Sequence, residues 1–333
     1  MNISEIARRA NVSTATVSRT LNQSGPVKAA TAKKVWRVVA ELNYYPNSHA
    51  RALVSGRSRM LGLIVSDITN PFFSELIRSF ESLAAQQHYD LLITSTDYQT
   101  NRLTATLRRM LERKVDGVAL MTSEMDLGLI HELSRRGVPI VFMDVGQMGA
   151  RMSHVSIDYA HGIGKAVEHV LGLGHTAVAF ISGPLDLHSA RTRRQAFTDT
   201  LHRHGVTPER KWMREGTHTA EGGRREMAAL LRLSNHPTAV VASNDWTAIG
   251  ALHAIQAGGL RVPEDISLVG FDDIPLVSYT TPTLTTVRMS AADVGATGFQ
   301  ALFHLIASGR HEGEIYQIPT TLVIRESTAR ATR

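Results

Sequence analysis

The sequence predicts a mixed α/β chain in which an N-terminal helix-turn-helix headpiece precedes two doubly wound lobes, each built on a parallel sheet. Three observations carry this prediction. Residues 2–22, NISEIARRANVSTATVSRTLN, read as two short helices around a tight turn. From Met60 onward, short apolar runs alternate with amphipathic helical stretches, the pattern of parallel strands covered on both faces. The charge is also uneven: residues 1–59 hold ten Lys and Arg against Glu5 and Glu41, in a chain whose totals are 36 bases and 30 acids. A basic segment of this kind has the electrostatic footprint of a phosphate-backbone binder.

In the headpiece, Ile3, Ile6, Ala7 and Ala10 recur at helical spacing. Asn2 is an N-cap, with Glu5 three residues on as capping-box partner. Asn11 and Val12 break the helix, and Ser13 caps the next. Val17 and Leu21 share one buried face of that second helix. The opposite face carries Thr14, Ala15, Ser18, Arg19 and Asn22, a small, hydroxyl-rich front with one guanidinium. Such a front suits a major groove, because short side chains allow close approach and Arg can take a guanine edge bidentately. A third helix starts near Thr31, with Val35, Val38, Val39 and Leu42 inward and Lys33, Lys34 and Arg37 outward. A core of this size is marginal, which points to help from a partner chain. Pro46 then sets a boundary. Asn47 or Ser48 caps a helix of about eight residues, too short to be stable alone in water. It should form only against its twin from a second subunit or against DNA. Leu53 is then an apolar residue suited to wedge between base pairs from the minor groove; the other reading of this stretch is a plain interdomain linker.

The first lobe reads as strands MLGLIVS, DLLITST, GVALMTS and PIVFMDV, separated by helices beginning near Phe72, Asn101 and Leu127. Residues His154 to Asp158 read as a connection. The second lobe follows as a helix from Ala160, AVAFISG, a helix from Ser189, KWMREG, a helix from Ala220, TAVVASN, a helix from Thr247 and ISLVGFD. The tail, LTTVRM, a helix over Ala291–Ser308, IYQIP and TLVIRES, is too small for a third domain and is shared between the lobes. The expected division is a headpiece over 1–46, a hinge helix and linker over 47–59, one lobe over 60–158 plus about 288–318, and another over 159–287 plus about 319–330. Two such lobes enclose a cleft at strand C-termini, where sheets of this class bind small molecules.

Several function classes are disfavoured. No run of about 18 apolar residues suggests a membrane span. The N-terminus lacks the apolar core of a secretory signal, so a cytoplasmic protein is expected. With no Cys there are no disulfides, thiolate metal sites or cysteine nucleophiles. The 15 His are scattered; His202 and His204 lie two apart near a helix end with no third ligand nearby, so no metal is expected. The first βα turn, SDITNPF, has no glycine to admit a pyrophosphate, and no GxxxxGK[ST], HExxH or GxSxG occurs. No catalytic residue and no cofactor are therefore assigned. Asp272-Asp273 are sequence neighbours, which usually point apart, unlike a glycosidase acid pair. The alternatives left open are a small-molecule binding protein and a Rossmann-type enzyme.

The chain resembles the LacI/GalR family of bacterial transcription regulators. The resemblance is carried, in order, by ISEIARRANVSTATVSRTLN, YYPNSHARAL, SDITNPFFSELI, VDGVAL, GHTAVAFISGP, PTAVVASNDWTAIGAL, VPEDISLVGFDDIP and LTTV. It implies a three-helix DNA-binding headpiece, a hinge helix and a core like the type I periplasmic sugar-binding proteins. It also implies a homodimer on a pseudo-palindromic operator in double-stranded DNA, with repression as the usual output. Carried over, Thr14, Ala15 and Arg19 would read base edges, and Ser13, Thr16 and Asn22 would hold phosphates. Asn47 would sit near the backbone, with Leu53 in the minor groove. The effector positions fall on Phe72, Phe73, Asp144, Asp158, Leu187, Ser189, Arg193, Thr217, Asn244 and Asp272. Arg193, Asn244 and Asp272 suit a polyol, since a carboxylate accepts two hydroxyl protons while Arg and Asn donate. Phe72 and Trp246 could cover an apolar sugar face. Turn chemistry at strand ends is the other reading of Asn244 and Asp272. Leu187 and Thr217 depart from the purine-binding pattern, which has a cation and an aromatic there, so a sugar or sugar derivative is the expected effector. Nothing after Arg325 resembles a leucine-heptad tail, so a tetramer built that way is not expected.

Overall fold

The structure is a computed structural model that describes residues 2–22, 25–44, 57–122, 127–144, 149–308 and 312–331. The predicted hinge residues Asn47 and Leu53 lie outside the described residues. The chain forms two compact units, Met1–Arg59 and Met60–Arg333.

In the first unit, α1 (Ile3–Ala10), α2 (Thr14–Asn22) and α3 (Ala29–Glu41) close on one another. Ile6, Ala7, Ala10, Val17, Leu21, Val35, Val38 and Val39 form their core, with Leu42 packed at its edge. The Asn2 side chain accepts the Glu5 N–H at 3.1 Å, and Asn11 ends α1 in the left-handed region at φ 51°. The Glu5 carboxylate turns instead to Arg8 and Arg9, at 2.7 and 2.8 Å. Those guanidiniums, Arg8 first, hold the Glu5 carboxyl down to about 2. The cap therefore rests on the Asn2 amide oxygen. Asn2→Ala should lower headpiece stability by about 1 kcal/mol, read as an earlier thermal midpoint for residues 1–59.

Among the described residues, the second unit holds two six-stranded sheets. Along the chain come β1 (Met60–Val65), α4 (Pro71–Gln86), β2 (Asp90–Ser95), α5 (Thr100–Glu112), β3 (Gly117–Met121), α6 (Leu127–Arg135), β4 (Ile140–Met143) and β5 (Met152–Ile157). They are followed by α7 (Tyr159–Gly172), β6 (Val178–Ser182), α8 (His188–Arg203), β7 (Met213–Glu215), α9 (Ala220–Leu231), β8 (Ala239–Ala242), α10 (Asp245–Ala257) and β9 (Ser267–Asp272). The tail is β10 (Thr285–Arg288), α11 (Ala291–Ser308), β11 (Ile315–Ile318) and β12 (Thr321–Val323). The first sheet runs β11-β5-β4-β3-β1-β2 and the second β12-β10-β9-β8-β6-β7. Among the described residues, every pairing is parallel except β10 with β12.

The segment His154–Asp158, expected as a connection, belongs to strand β5 up to Ile157. Its Ser and His residues hid it. They are tolerated because β5 lies next to the sheet edge, where the Glu314 N–H donates to Ser153 Oγ at 3.2 Å. The expected strand KWMREG is shorter than its sequence suggests. A 3-10 turn over Arg210–Trp212 buries Trp212, whose indole N–H donates to the Asn235 carbonyl at 3.2 Å, before β7 begins.

The chain passes between the sheets at β5–α7, β10–α11 and β11–β12. After β10 it returns to the first lobe, where α11 packs on α4. Opposite, α9 and α10 touch backbone to backbone: a Cβ on Gly250 would fall 1.8 Å from the Ala220 carbonyl oxygen. That close approach fixes the start of α10, where Asn244 caps the helix by accepting the Thr247 N–H at 2.9 Å. Among the described residues, no helix is long and apolar enough to cross a membrane.

Candidate functional site

On the first unit, the exposed front of α2 presents Thr14, Ala15 and Arg19, while Val17 and Leu21 face the core. Ser13 caps the helix: its Oγ accepts the Thr16 N–H at 3.1 Å and lies 2.9 Å from Thr16 Oγ1. Thr20 turns inward, and its hydroxyl donates to the Thr16 carbonyl at 2.8 Å. The backbone of Asn22 ends α2. The face is thus small and polar around one long cation, with Trp36 on α3 a further exposed aromatic (45% exposed).

In the second unit, the C-terminal ends of the strands in both sheets converge on a cleft. Ser66, Asn70, Phe72, Phe73, Tyr98 and Met143 line it from the first lobe. Tyr159, Ser189, Arg193, His218, Asn244, Asp272 and Met289 complete it. Each position follows from local chemistry. Asn70 caps α4 by accepting the Phe72 N–H at 3.1 Å, which sets Phe72 and Phe73 on the first turn. Their rings meet edge to face at 5.2 Å and form an apolar wall.

Arg193 is the centre of the cleft. Its guanidinium lies 4.3 Å from the Tyr159 ring centroid and 4.5 Å from that of Phe271. One Nη donates to the Ser243 carbonyl at 2.5 Å, while among the described residues the buried Nε has no hydrogen-bond partner. A buried donor left unpaired is costly, so the arrangement favours an incoming acceptor. Burial pushes the Asp272 carboxyl up to about 7, against the pull of Arg193. Burial likewise lifts Asp144 to about 7, although the Tyr159 hydroxyl and the Ile157 N–H both donate to it.

His218 approaches from the loop after β7 and touches Tyr98 of the other lobe, ring centroids 5.9 Å apart. A Cβ on Gly183 would lie 1.9 Å from its Nε2, so the ring rests directly on that backbone. Burial, with Arg193 second, lowers His218 to about 3 and keeps it neutral. The unfolded chain protonates this His below its ordinary 6.5 while the native one does not, so stability is lost as pH falls toward 3. His218→Gln should remove that slope. In urea unfolding from neutral pH to about 4, the wild type should lose up to about 1.4 kcal/mol per pH unit relative to the variant.

Of the residues expected from sequence, Phe72, Phe73, Ser189, Arg193, Asn244 and Asp272 come together in the cleft. Asp144 stands behind it, bonded to the Tyr159 hydroxyl. Asp158 is exposed and caps α7 by accepting the His161 N–H at 2.9 Å. Leu187 is buried at the start of α8. The Thr217 hydroxyl is 2.8 Å from that of Thr219, and Trp246 packs on the core. Sequence reasoning missed Ser66, Asn70, Tyr98, Met143, Tyr159, His218 and Met289. His218, one position beyond Thr217, supplies a ring in that loop. Its signal is positional: strand-end loops of every strand contribute to such a cleft.

Comparison with known proteins agrees with both halves. A family described as bacterial regulatory proteins, lacI family, matches residues 2–47, and a periplasmic binding protein-like domain matches residues 167–328. The chain is 33% identical over 326 residues to the HTH-type transcriptional repressor PurR of Aliivibrio salmonicida, spanning 98% of both proteins. The lac repressor dimer bound to operator and the anti-inducer ONPF is similar with a TM-score of 0.88 at 31% identity, covering 99% of each chain. The transcriptional regulator CelR in complex with cellobiose is similar with a TM-score of 0.73 at 27% identity, covering 98% of this chain and 99% of that one.

Proposed function

This chain belongs to the lacI family of bacterial regulatory proteins, and from that premise we propose that it is a repressor switched by a sugar or sugar derivative. It is a DNA-binding transcriptional regulator and not an enzyme. It binds a pseudo-palindromic operator as a homodimer, as the lac repressor dimer does its own operator. It acts in the cytoplasm, where that DNA is. Thr14, Ala15 and Arg19 read base edges, and Ser13, Thr16 and Asn22 hold phosphates. Asn47 and Leu53 serve the hinge. Affinity comes largely from Lys and Arg contacts to phosphate and falls steeply with salt.

The observation that carries the effector reading is Arg193. Its guanidinium lies against the adjoining rings of Tyr159 and Phe271, with an Nε that has no partner among the described residues and the Asp272 carboxyl near enough to act on its charge. Donor and acceptor then stand side by side over apolar walls, which fits vicinal hydroxyls on a ring with an apolar face. Asn244 adds an amide, although its side chain also caps α10 and donates to the His218 carbonyl at 3.2 Å. Asp144 acts through Tyr159. Asp158, Leu187, Thr217 and Trp246 shape the surrounding shell.

Effector binding changes the arrangement of the two lobes and so alters DNA affinity. A ligand with equal affinity for both arrangements could not act; its differential affinity sets the size of the switch. The test is a thermal-shift screen of the purified protein with D-ribose, D-glucose, D-galactose and cellobiose, because a cleft ligand raises stability by mass action. At least one should raise the midpoint of the second unit, and adenine and guanine should not. A shift with a purine and none with any sugar would replace the sugar by a base.

A further inference from the structure

The end of β9 carries two consecutive non-glycine residues in the left-handed half of backbone space, Asp272 at φ 112° and Asp273 at φ 59°. Such a backbone conformation is unfavourable for an L side chain and persists only where its surroundings over-determine it. Three contacts do so here. The Ile274 N–H donates to the buried Asp245 carboxylate at 2.8 Å. Arg288, at the end of β10, donates Nε to Asp273 Oδ2 at 2.6 Å. Arg325, just beyond β12, donates Nη2 to Asp273 Oδ1 at 2.6 Å and Nη1 to the Leu284 carbonyl at 2.8 Å.

Arg325 differs from an ordinary surface arginine. The chain around it is fastened: its own N–H donates to Thr285 Oγ1 at 2.9 Å, and Ser327 is bonded to Leu268 and Thr285. Its side chain is 18% exposed and that of Asp273 only 7%. The guanidinium is therefore a fixed strut. It also joins two places where the chain passes between the lobes, since Arg288 precedes the β10–α11 passage and Arg325 follows the β11–β12 one.

We propose that Arg325, acting through Asp273, is a positioning residue for effector recognition, holding the turn that presents the Asp272 carboxylate to the cleft. The proposal rests on the reading of that cleft as an effector site. Asp273 points its carboxylate away to two cations so that Asp272, its neighbour, can face the ligand. Because Ser327 keeps the tail on β9 and β10, removing the guanidinium leaves the lobe folded and only loosens the turn.

The experiment uses the full chain and the four sugars named above. Arg325→Met should bind the sugar that shifts the wild type at least about tenfold more weakly, with operator affinity in the absence of sugar and the unfolding midpoint nearly unchanged. Arg325→Lys, which can still reach Asp273, should recover part of the loss. Asp273→Asn should weaken binding similarly, and the Asp273→Asn/Arg325→Met double variant should be no worse than either single, because both act on one turn. Unchanged affinity in Arg325→Met, additive losses in the double variant, or no recovery by Lys would overturn the proposal. Should Arg325→Met not fold, Lys and Asn variants decide on the same criteria. If no sugar binds the wild type, the sugar reading fails separately. The carboxyl 13C resonance that disappears in Asp272→Asn then decides: a changed position or titration in Arg325→Lys supports the strut, and an unmoved resonance rejects it.

Discussion

Asp272→Asn should abolish the effector response and, in the same protein, make the ligand-free second unit more stable above neutral pH. The two effects share a cause. On the proposed reading a buried carboxylate near Arg193 would accept hydroxyl protons from a sugar, and burial makes its ionised form costly when no sugar is there. Hydrogen bonds to a charged group contribute about 1.5–3 kcal/mol each, so losing the charge and one acceptor should weaken binding on the order of a hundredfold or more. The stability effect has a definite sign. Folding raises this carboxyl from 3.8 to about 7, so its favourable contribution is complete below 3.8 and is lost as pH rises through 7. Asn does not titrate. Its advantage over the wild type should therefore be smallest at acid pH and grow as pH rises toward neutrality. Denaturant titrations at several pH values measure this, and sugar titrations measure the first effect. Operator affinity without sugar should change little. If it collapses, Asp272 is structural.

Arg19→Ala should cost roughly 1–3 kcal/mol on the specific operator and much less on random duplex DNA. Arg19 is the one long cation on an exposed front otherwise made of Thr14 and Ala15, so it has room to reach a base edge. Loss of a guanine contact removes discrimination, whereas loss of a phosphate contact weakens all sequences alike and reduces the salt slope by about one. Competition binding at two salt concentrations separates these. An equal loss on both DNAs would assign Arg19 to the backbone.

Periodicity made most of the fold legible. Val17 and Leu21, and the stripe Val35, Val38 and Val39, are buried where helical spacing put them. The strand runs after Met60 were visible because parallel strands covered on both faces are nearly uniform in polarity. The failures occur where that uniformity breaks. β5 mixes Ser153, His154 and Ser156 into its apolar residues because it lies beside an edge strand, and its polarity disguised it. In the cleft, Arg193, Asn244 and Asp272 were legible through the family resemblance, since Asn244 and Asp272 taken locally read as turn chemistry at strand ends. Tyr98 and His218 were not, because their contact joins two loops far apart in sequence, and neither loop has a period to read. Glu5 shows a third kind of miss. Capping-box spacing was satisfied, but two arginines on the same helix compete for the carboxylate and hold it.

The account turns on coupling between the cleft and the DNA-reading face, and one measurement reaches it directly. The purified full-length protein is selected against a pool of random duplexes at low salt, and its affinity for the enriched sequence is measured with and without each of the four sugars. The account predicts a two-fold-symmetric sequence, affinity that falls steeply with salt, and a change of about tenfold or more with at least one sugar, absent in Asp272→Asn. Enrichment of no sequence, or an affinity indifferent to every ligand that stabilises the second unit, would contradict it.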